Sequence, residues 1–138
     1  MKWANDYVGI PFKWGGYDRQ GTYCYGLVWM VLREQFGIDL PQNTGAMKRY
    51  FTETETCDRY SQFGIPLLGD QWSPGDVLHM FGCPIKKAKG HPPLHVGVCL
   101  GGTKVLHMSG RTASCIIDVS RPLHRWRPVM GYRPCAMN

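Results

Sequence analysis

Three side chains of this 138-residue chain have the types and settings of nucleophilic acyl transfer: Cys24, His95 and His107. Cys24 opens a helical pattern, with Leu27, Val28, Val31, Leu32 and Gln35 at i+3, i+4, i+7, i+8 and i+11 and Gly37 placed to cap the end. A thiol on a first helical turn meets unpaired backbone N–H groups and the positive end of the dipole, a setting that predicts a lowered pKa. The same N–H groups, that of Cys24 included, suit the oxygen of a tetrahedral intermediate. Thr22 is the candidate N-cap, and Gly26 leaves room for a ligand to approach the backbone. The plain alternative is a reduced, buried, small hydrophobe, the usual state of a free cysteine. That reading also covers Cys57, Cys83, Cys99, Cys115 and Cys135, and no two of the cysteines form a C-x-x-C pair.

A nucleophilic thiol needs a base. His91 and His124 lie in Pro- and Arg-rich loops and read as solvated surface residues, while His79, beside Met80, reads as a core residue of a strand. His95 and His107 fall on successive strands with Gly101-Gly102 between them. If the turn holds those two glycines alone, opposed positions sum to 203 and the rings lie on opposite faces. A three-residue turn, Gly101 to Thr103, makes the sum 204, so that Gly97 faces His107, His95 faces Ser109 and both rings share one face diagonally. A Gly-rich turn with a bulge supplies that register, and the triad requires it. His95 then takes the proton of Cys24 or pairs with its thiolate, and His107 holds the His95 ring in one tautomer. Two half-buried strand histidines without a chemical role are the alternative. A metal site built from the same three residues lacks recognised ligand spacing.

The elements that position these residues follow from the rest of the chain. Hydrophobic residues at 43%, charged residues at 19% and aromatics at 12% describe a globular protein, and the length suits one domain over residues 1–138. A short helix or extended arm opens the chain and breaks at Gly9 and Pro11, and a loop of turn formers runs from Tyr17 to Thr22. The helix from Cys24 is apolar enough to lie mostly inside, with Arg33 and Glu34 marking its wet side. A polar segment, Gln42 to Gln62, carries one short helix around Ala46 to Thr52. Strands follow at Asp76 to Phe81, His95 to Leu100, Lys104 to Ser109, Cys115 to Val119 and Val129 to Tyr132. A buried helix first and antiparallel strands after is the order of an α+β domain.

The formal charge of +6 and pI near 9.1 favour anionic partners such as nucleic acid, acidic cell-wall polymer or an acidic protein surface. Arg121, Arg125, Arg127 and Arg133 add to a basic nucleic-acid reading, but no nucleic-acid motif accompanies the charge. No stretch has the features of a secretory signal, and no apolar run approaches the ~20 residues of a membrane span, so the expectation is a chain made and folded in a cytoplasm.

Five ordered segments resemble the NlpC-type cysteine peptidases, papain-like enzymes that cut peptidoglycan stem peptides. They are Y-V-G-I-P-F-K-W-G-G, Y-C-Y-G-L-V, W-S-P-G-D-V-L, H-V-G-V-C-L-G and K-V-L-H-M-S. The resemblance implies a papain-like α+β fold with a buried nucleophile helix packed on an antiparallel sheet. It implies Cys24 as nucleophile, His95 as base and His107 as orienting residue, with no metal or organic cofactor. The helix and its exit, L-V-W-M-V-L-R-E-Q-F-G-I-D-L-P, and the C-terminal M-G-Y-R-P are similar to the stand-alone form found in tail-assembly proteins of long-tailed bacteriophages. That form implies a place at the virion tail tip among other tail-tip proteins, assembly in the host cytoplasm, and local opening of the cell wall during genome delivery. A structural tail component that keeps the fold without hydrolysis is the rival reading.

Three positions depart from the family pattern. Phe12 stands where a Tyr is usual, and Tyr23 and Tyr25 stand where Asp and Ser usually help hold the free amine end of a stem peptide. The departures imply an altered peptide substrate or a retained fold with weak activity. Trp14, Tyr17, Tyr23, Tyr25 and the Lys86 to His91 loop are the candidates for substrate contact, with aromatics covering sugar or peptide faces and lysines meeting stem carboxylates. Packing in the core or at an interface is the plain alternative for the aromatics.

Overall fold

The computed structural model describes residues 2–40, 42, 64–67, 72–82, 94–108, 113–120 and 126–134; at 64–67, 79, 81–82, 94, 126–132 and 134 the description is of the backbone. The helix expected around Ala46 to Thr52, the Lys86 to His91 loop, His91, His124, Arg121 and Arg125 lie outside the described residues.

Helix α1 runs Cys24–Phe36, as its apolar spacing requires, and buries Tyr25, Gly26, Leu27, Val28, Met30, Val31 and Leu32. Arg33 and Glu34 are exposed, and Gly37 ends the helix at φ 65° while the Ile38 N–H donates to the Leu32 carbonyl at 3.0 Å. The N-cap is Tyr23, not Thr22. The Thr22 hydroxyl is drawn away to the carbonyl oxygens of Gly16 and Tyr23, 3.0 Å from each, so no side chain caps the first turn.

A 3-10 helix, Lys2–Tyr7, precedes a small antiparallel ribbon of β1 (Tyr17–Asp18) and β2 (Gly21–Thr22). The ribbon replaces the loop expected there, because the Asp18 carboxylate accepts the Gln20 N–H at 2.9 Å and closes a tight turn. Among the described residues a six-stranded antiparallel sheet follows: β3 (Gly64–Leu67), β4 (Val77–Gly82), β5 (Leu94–Gly101), β6 (Lys104–Met108), β7 (Ser114–Asp118) and β8 (Trp126–Pro134). The spatial order is β3-β8-β4-β5-β6-β7. Five of the strands were legible in the alternation. Strand β3 was not, since Pro66 reads as a breaker; its place at the sheet edge is where a missing N–H is tolerated.

One apolar cluster joins Leu27, Val28, Val31 and Leu32 of α1 to Val77, Val96, Val98, Leu106 and Met108 of the sheet. Leu78, Met80, Cys99 and Val105 form a second cluster with Trp72, Ile117 and Val119. Residues 9–13 stitch the site together: Ser114 exchanges backbone bonds with Gly9 and Ile10 at 2.9 Å, and Thr22 with Pro11 and Lys13 at 3.0 and 2.8 Å. The start of β7 and the approach to α1 are thereby held by one extended segment.

Candidate active site

The strand register decides whether the two histidines meet. Gly97 opposes His107, Val98 opposes Leu106 and Cys99 opposes Val105, each pair summing to the 204 that a shared face requires. The extra residue is Leu100, bulged between Cys99 and Gly101, and Gly101 opposes Lys104 across Gly102-Thr103. The register is the expected one, reached by a bulge followed by a two-residue turn rather than by a three-residue turn. His95 Nε2 lies 2.7 Å from His107 Nδ1, with the rings edge to face at 4.9 Å and 87°. Both rings are buried, at 6% and 3% exposure. The contact occupies Nε2 of His95, so a proton exchanged with a nucleophile passes through Nδ1.

Cys24 is the first residue of α1, half-buried, and its thiol lies against the backbone N–H of Val96, the peptide that directly follows His95. Val96 and Val98 pack with α1, whereas His95 and His107 share strand parity with Cys99 and Val105. The helix mouth therefore meets β5 at the peptide linking the two faces. The lowered thiol pKa expected from the helix start does not hold. Burial pushes the Cys24 thiol up, and the N–H groups of Val96, Tyr25 and Cys24 oppose that only in part. Desolvation outweighs the dipole, and the thiol needs a base to ionise.

The aromatic candidates pack on one another at the start of α1. Tyr17 packs edge to face on Tyr23 at 5.5 Å, on Tyr25 at 6.2 Å and on Trp29 at 5.2 Å, and Trp14 leans on Tyr23 at 5.5 Å. The Tyr17 and Tyr23 hydroxyls share a 2.7 Å hydrogen bond. Burial, reinforced by that bond, holds the Tyr23 phenol well above its ordinary pKa. Only Trp14, 48% exposed, and in part Tyr17 stand at a rim; Tyr23 and Tyr25, at 1% and 3%, are core residues behind it. Their rings bring too much apolar surface to stay outside the helix–sheet core. Phe12 is exposed. The room expected at Gly26 is filled, since a Cβ there would stand 2.0 Å from the Gly16 carbonyl oxygen and 2.5 Å from Thr22 Oγ1. Glycine at this position admits the ribbon, not a ligand.

Two further residues matter. Arg133 clamps the buried Asp76 carboxylate, Nε to Oδ1 and Nη2 to Oδ2 both 3.2 Å, and also reaches Ser73 Oγ. One charge of the supposed nucleic-acid cluster is thus committed to bracing the start of β4. Cys115, read from sequence as inert, lies with Sγ 3.4 Å from His107 Nε2. Pairing β7 on β6 in register would have found it, because Cys115 directly opposes His107. Among the described residues no group of three or more His, Cys, Asp or Glu is placed to hold a metal, and no helix is long and apolar enough to cross a membrane.

Comparison with known proteins gives a consistent picture. The chain is 27% identical over 101 residues to the probable endopeptidase NlpC of Escherichia coli (strain K12), covering 73% of this chain and 54% of that protein. It is 25% identical over 122 residues to the murein DD-endopeptidase MepS/murein LD-carboxypeptidase of the same strain, covering 88% and 54%. The chain spans about half the length of these curated relatives. The crystal structure of the NlpC/p60 domain of the peptidoglycan hydrolase SagA superposes with a TM-score of 0.60 at 24% identity, over 94% of this chain and 92% of that one, a likeness of fold. The NlpC/P60 family model matches residues 9–126, a span that takes in Cys24, His95 and His107 together, and the chain belongs to that family.

Proposed function

We propose that this chain is a cysteine endopeptidase that hydrolyses peptide bonds in peptidoglycan stem peptides, with Cys24 as nucleophile, His95 as general base and acid, and His107 as orienting residue. The observation that carries the reading is the 2.7 Å His95–His107 contact on the strand whose Val96 N–H meets the Cys24 thiol. The relatives named as endopeptidases support it.

Because burial keeps the thiol protonated at rest, catalysis starts with proton transfer from Sγ to His95 Nδ1. The thiolate forms a bond to the carbonyl carbon, and the electron pair moves to the oxygen, which the N–H groups of the uncapped first turn receive. The imidazolium proton then passes to the leaving amine, the C–N bond breaks and a thioester remains. His95 next takes a proton from water, hydroxide adds to the thioester, and the thiol leaves with that proton. Trp14 and Tyr17 form the rim of the cleft and Tyr23 and Tyr25 its apolar back wall. With Tyr23 in place of a carboxylate, the site does not call for a free amine on the substrate.

The setting we propose is the tail tip of a long-tailed bacteriophage, in the company of other tail-tip proteins, with the peptidase as one domain over residues 1–138 and with assembly in the host cytoplasm. The phage-like helix exit and C-terminal strand support this. The rival, a structural tail component, draws on the raised thiol pKa and the burial of Tyr23 and Tyr25. Digestion of purified peptidoglycan by the wild type and by Cys24→Ala, with mass identification of released muropeptides, separates the two. Products from the wild type alone establish hydrolysis, and none from either establishes the structural reading.

A further inference from the structure

We propose that Cys115 is a positioning residue of the site: its sulfur accepts a hydrogen bond from His107 Nε2–H and so fixes the tautomer in which His107 supports His95. Both the choice of tautomer, which is the one that leaves His95 able to act as a base, and its catalytic consequence rest on the hydrolase reading above.

Cys115 and His107 are directly opposed on β7 and β6, and Sγ stands 3.4 Å from Nε2. The other ring nitrogen of His107 contacts His95 Nε2 at 2.7 Å. Two proton arrangements satisfy this row. If the thiol donates to Nε2, His107 carries its proton on Nδ1 and donates to His95 Nε2. His95 then holds its own proton on Nδ1, the nitrogen that must receive one from Cys24, and cannot act as a base. If the sulfur accepts, His107 is the Nε2–H tautomer and its Nδ1 lone pair accepts from His95 Nε2–H. His95 Nδ1 is then a lone pair, and the imidazolium formed on protonation keeps its Nε2–H on His107. Only the second arrangement works.

Cys115 is suited to this part. Ser114, its neighbour, is anchored by backbone bonds to Gly9 and Ile10, by the Ile10 N–H to its Oγ at 2.9 Å, and by a hydrogen bond from Oγ to the Tyr7 carbonyl, which fixes the strand beside the sulfur. Burial raises the Cys115 pKa, which keeps it a neutral thiol.

The test is long-range 1H–15N correlation of the histidine side chains together with the pH profile of Cys24 alkylation by iodoacetamide, read by mass on the Cys24 peptide. The wild type and Cys115→Ser show His107 as the Nε2–H tautomer. Cys115→Val and the less bulky Cys115→Ala shift His107 toward a mixture, slow Cys24 alkylation at pH 7 by about three- to tenfold, the worth of one hydrogen bond, and move the rising limb to higher pH. An Nδ1–H tautomer in the wild type overturns the proposal, and so does an apolar variant with unchanged tautomer and profile. A wild type that keeps the Nε2–H tautomer yet releases no muropeptides overturns the hydrolase reading alone.

Discussion

At the helix side of the site, Tyr17, Trp14 and Tyr25 each pack on Tyr23, the residue that precedes Cys24. At the strand side, His95, His107 and Cys115 line up across β5, β6 and β7, joined ring to ring and ring to sulfur. Burial at the helix side raises the Cys24 thiol pKa. In the proposed mechanism the polar row directs the proton. Apolar packing tolerates little change of volume, whereas a hydrogen-bonded row tolerates little change of donor and acceptor. Damage to the first therefore shows as lost stability, and damage to the second as lost rate.

The largest expected effect tests the polar row. His95→Ala lowers kcat/KM for muropeptide release by about 10^3-fold, and His107→Ala by about 10^2-fold, with His107→Asn retaining more because an acceptor survives. Equal activity of all three variants and the wild type would dissolve the row as a proton path. On the helix side, Gly26→Ala forces a methyl to within 2.0 Å of the Gly16 carbonyl oxygen. Overpacking of about 3 kcal/mol outweighs the roughly 1 kcal/mol gained in helix propensity, and urea denaturation reads the difference. An unchanged midpoint would mean that the ribbon does not bear on the helix.

A smaller effect arises from titration. Burial raises the Cys24, Cys99 and Cys115 thiols above their ordinary 9.0, and Tyr7 and Tyr23 above 10.0. These acids lose protons in the unfolded chain before they do so in the folded one, so stability is full below about pH 9 and falls as pH rises beyond it. Thermal melts expect a flat Tm from pH 7 to about 8.5 and a decline above. Alanine at Cys99, on the far cluster, removes one contribution and softens that decline. Least of all, Tyr17→Phe deletes the hydroxyl pair with Tyr23 and costs about 1 kcal/mol by urea denaturation.

Much of this was legible in the chain. Spacing alone delimits α1, because a 3.6-residue apolar period and a closing glycine have few other solutions. Parity alone shows that His95 and His107 can meet only in one register, and the structure has that register. Other assignments turned on contacts between distant segments. Thr22 has the side chain of an N-cap, yet the Gly16 carbonyl captures it. Tyr23 and Tyr25 have side chains suited to a rim or a core, and packing of the ribbon on α1 decides for the core. The helix dipole argues for an acidic thiol, and burial against β5 reverses the sign.

The sequence by itself determined the residue types, their order and the period of each element, since these follow from local propensity and from the side-chain alternation of strands and helices. Only the tertiary structure decided that Cys115 joins His107, that Arg133 is spent on Asp76, and that desolvation raises the Cys24 thiol pKa. The physical reason is that hydrogen-bond partners and desolvation are properties of neighbours in space, and those neighbours lie as far apart in the chain as Asp76 and Arg133.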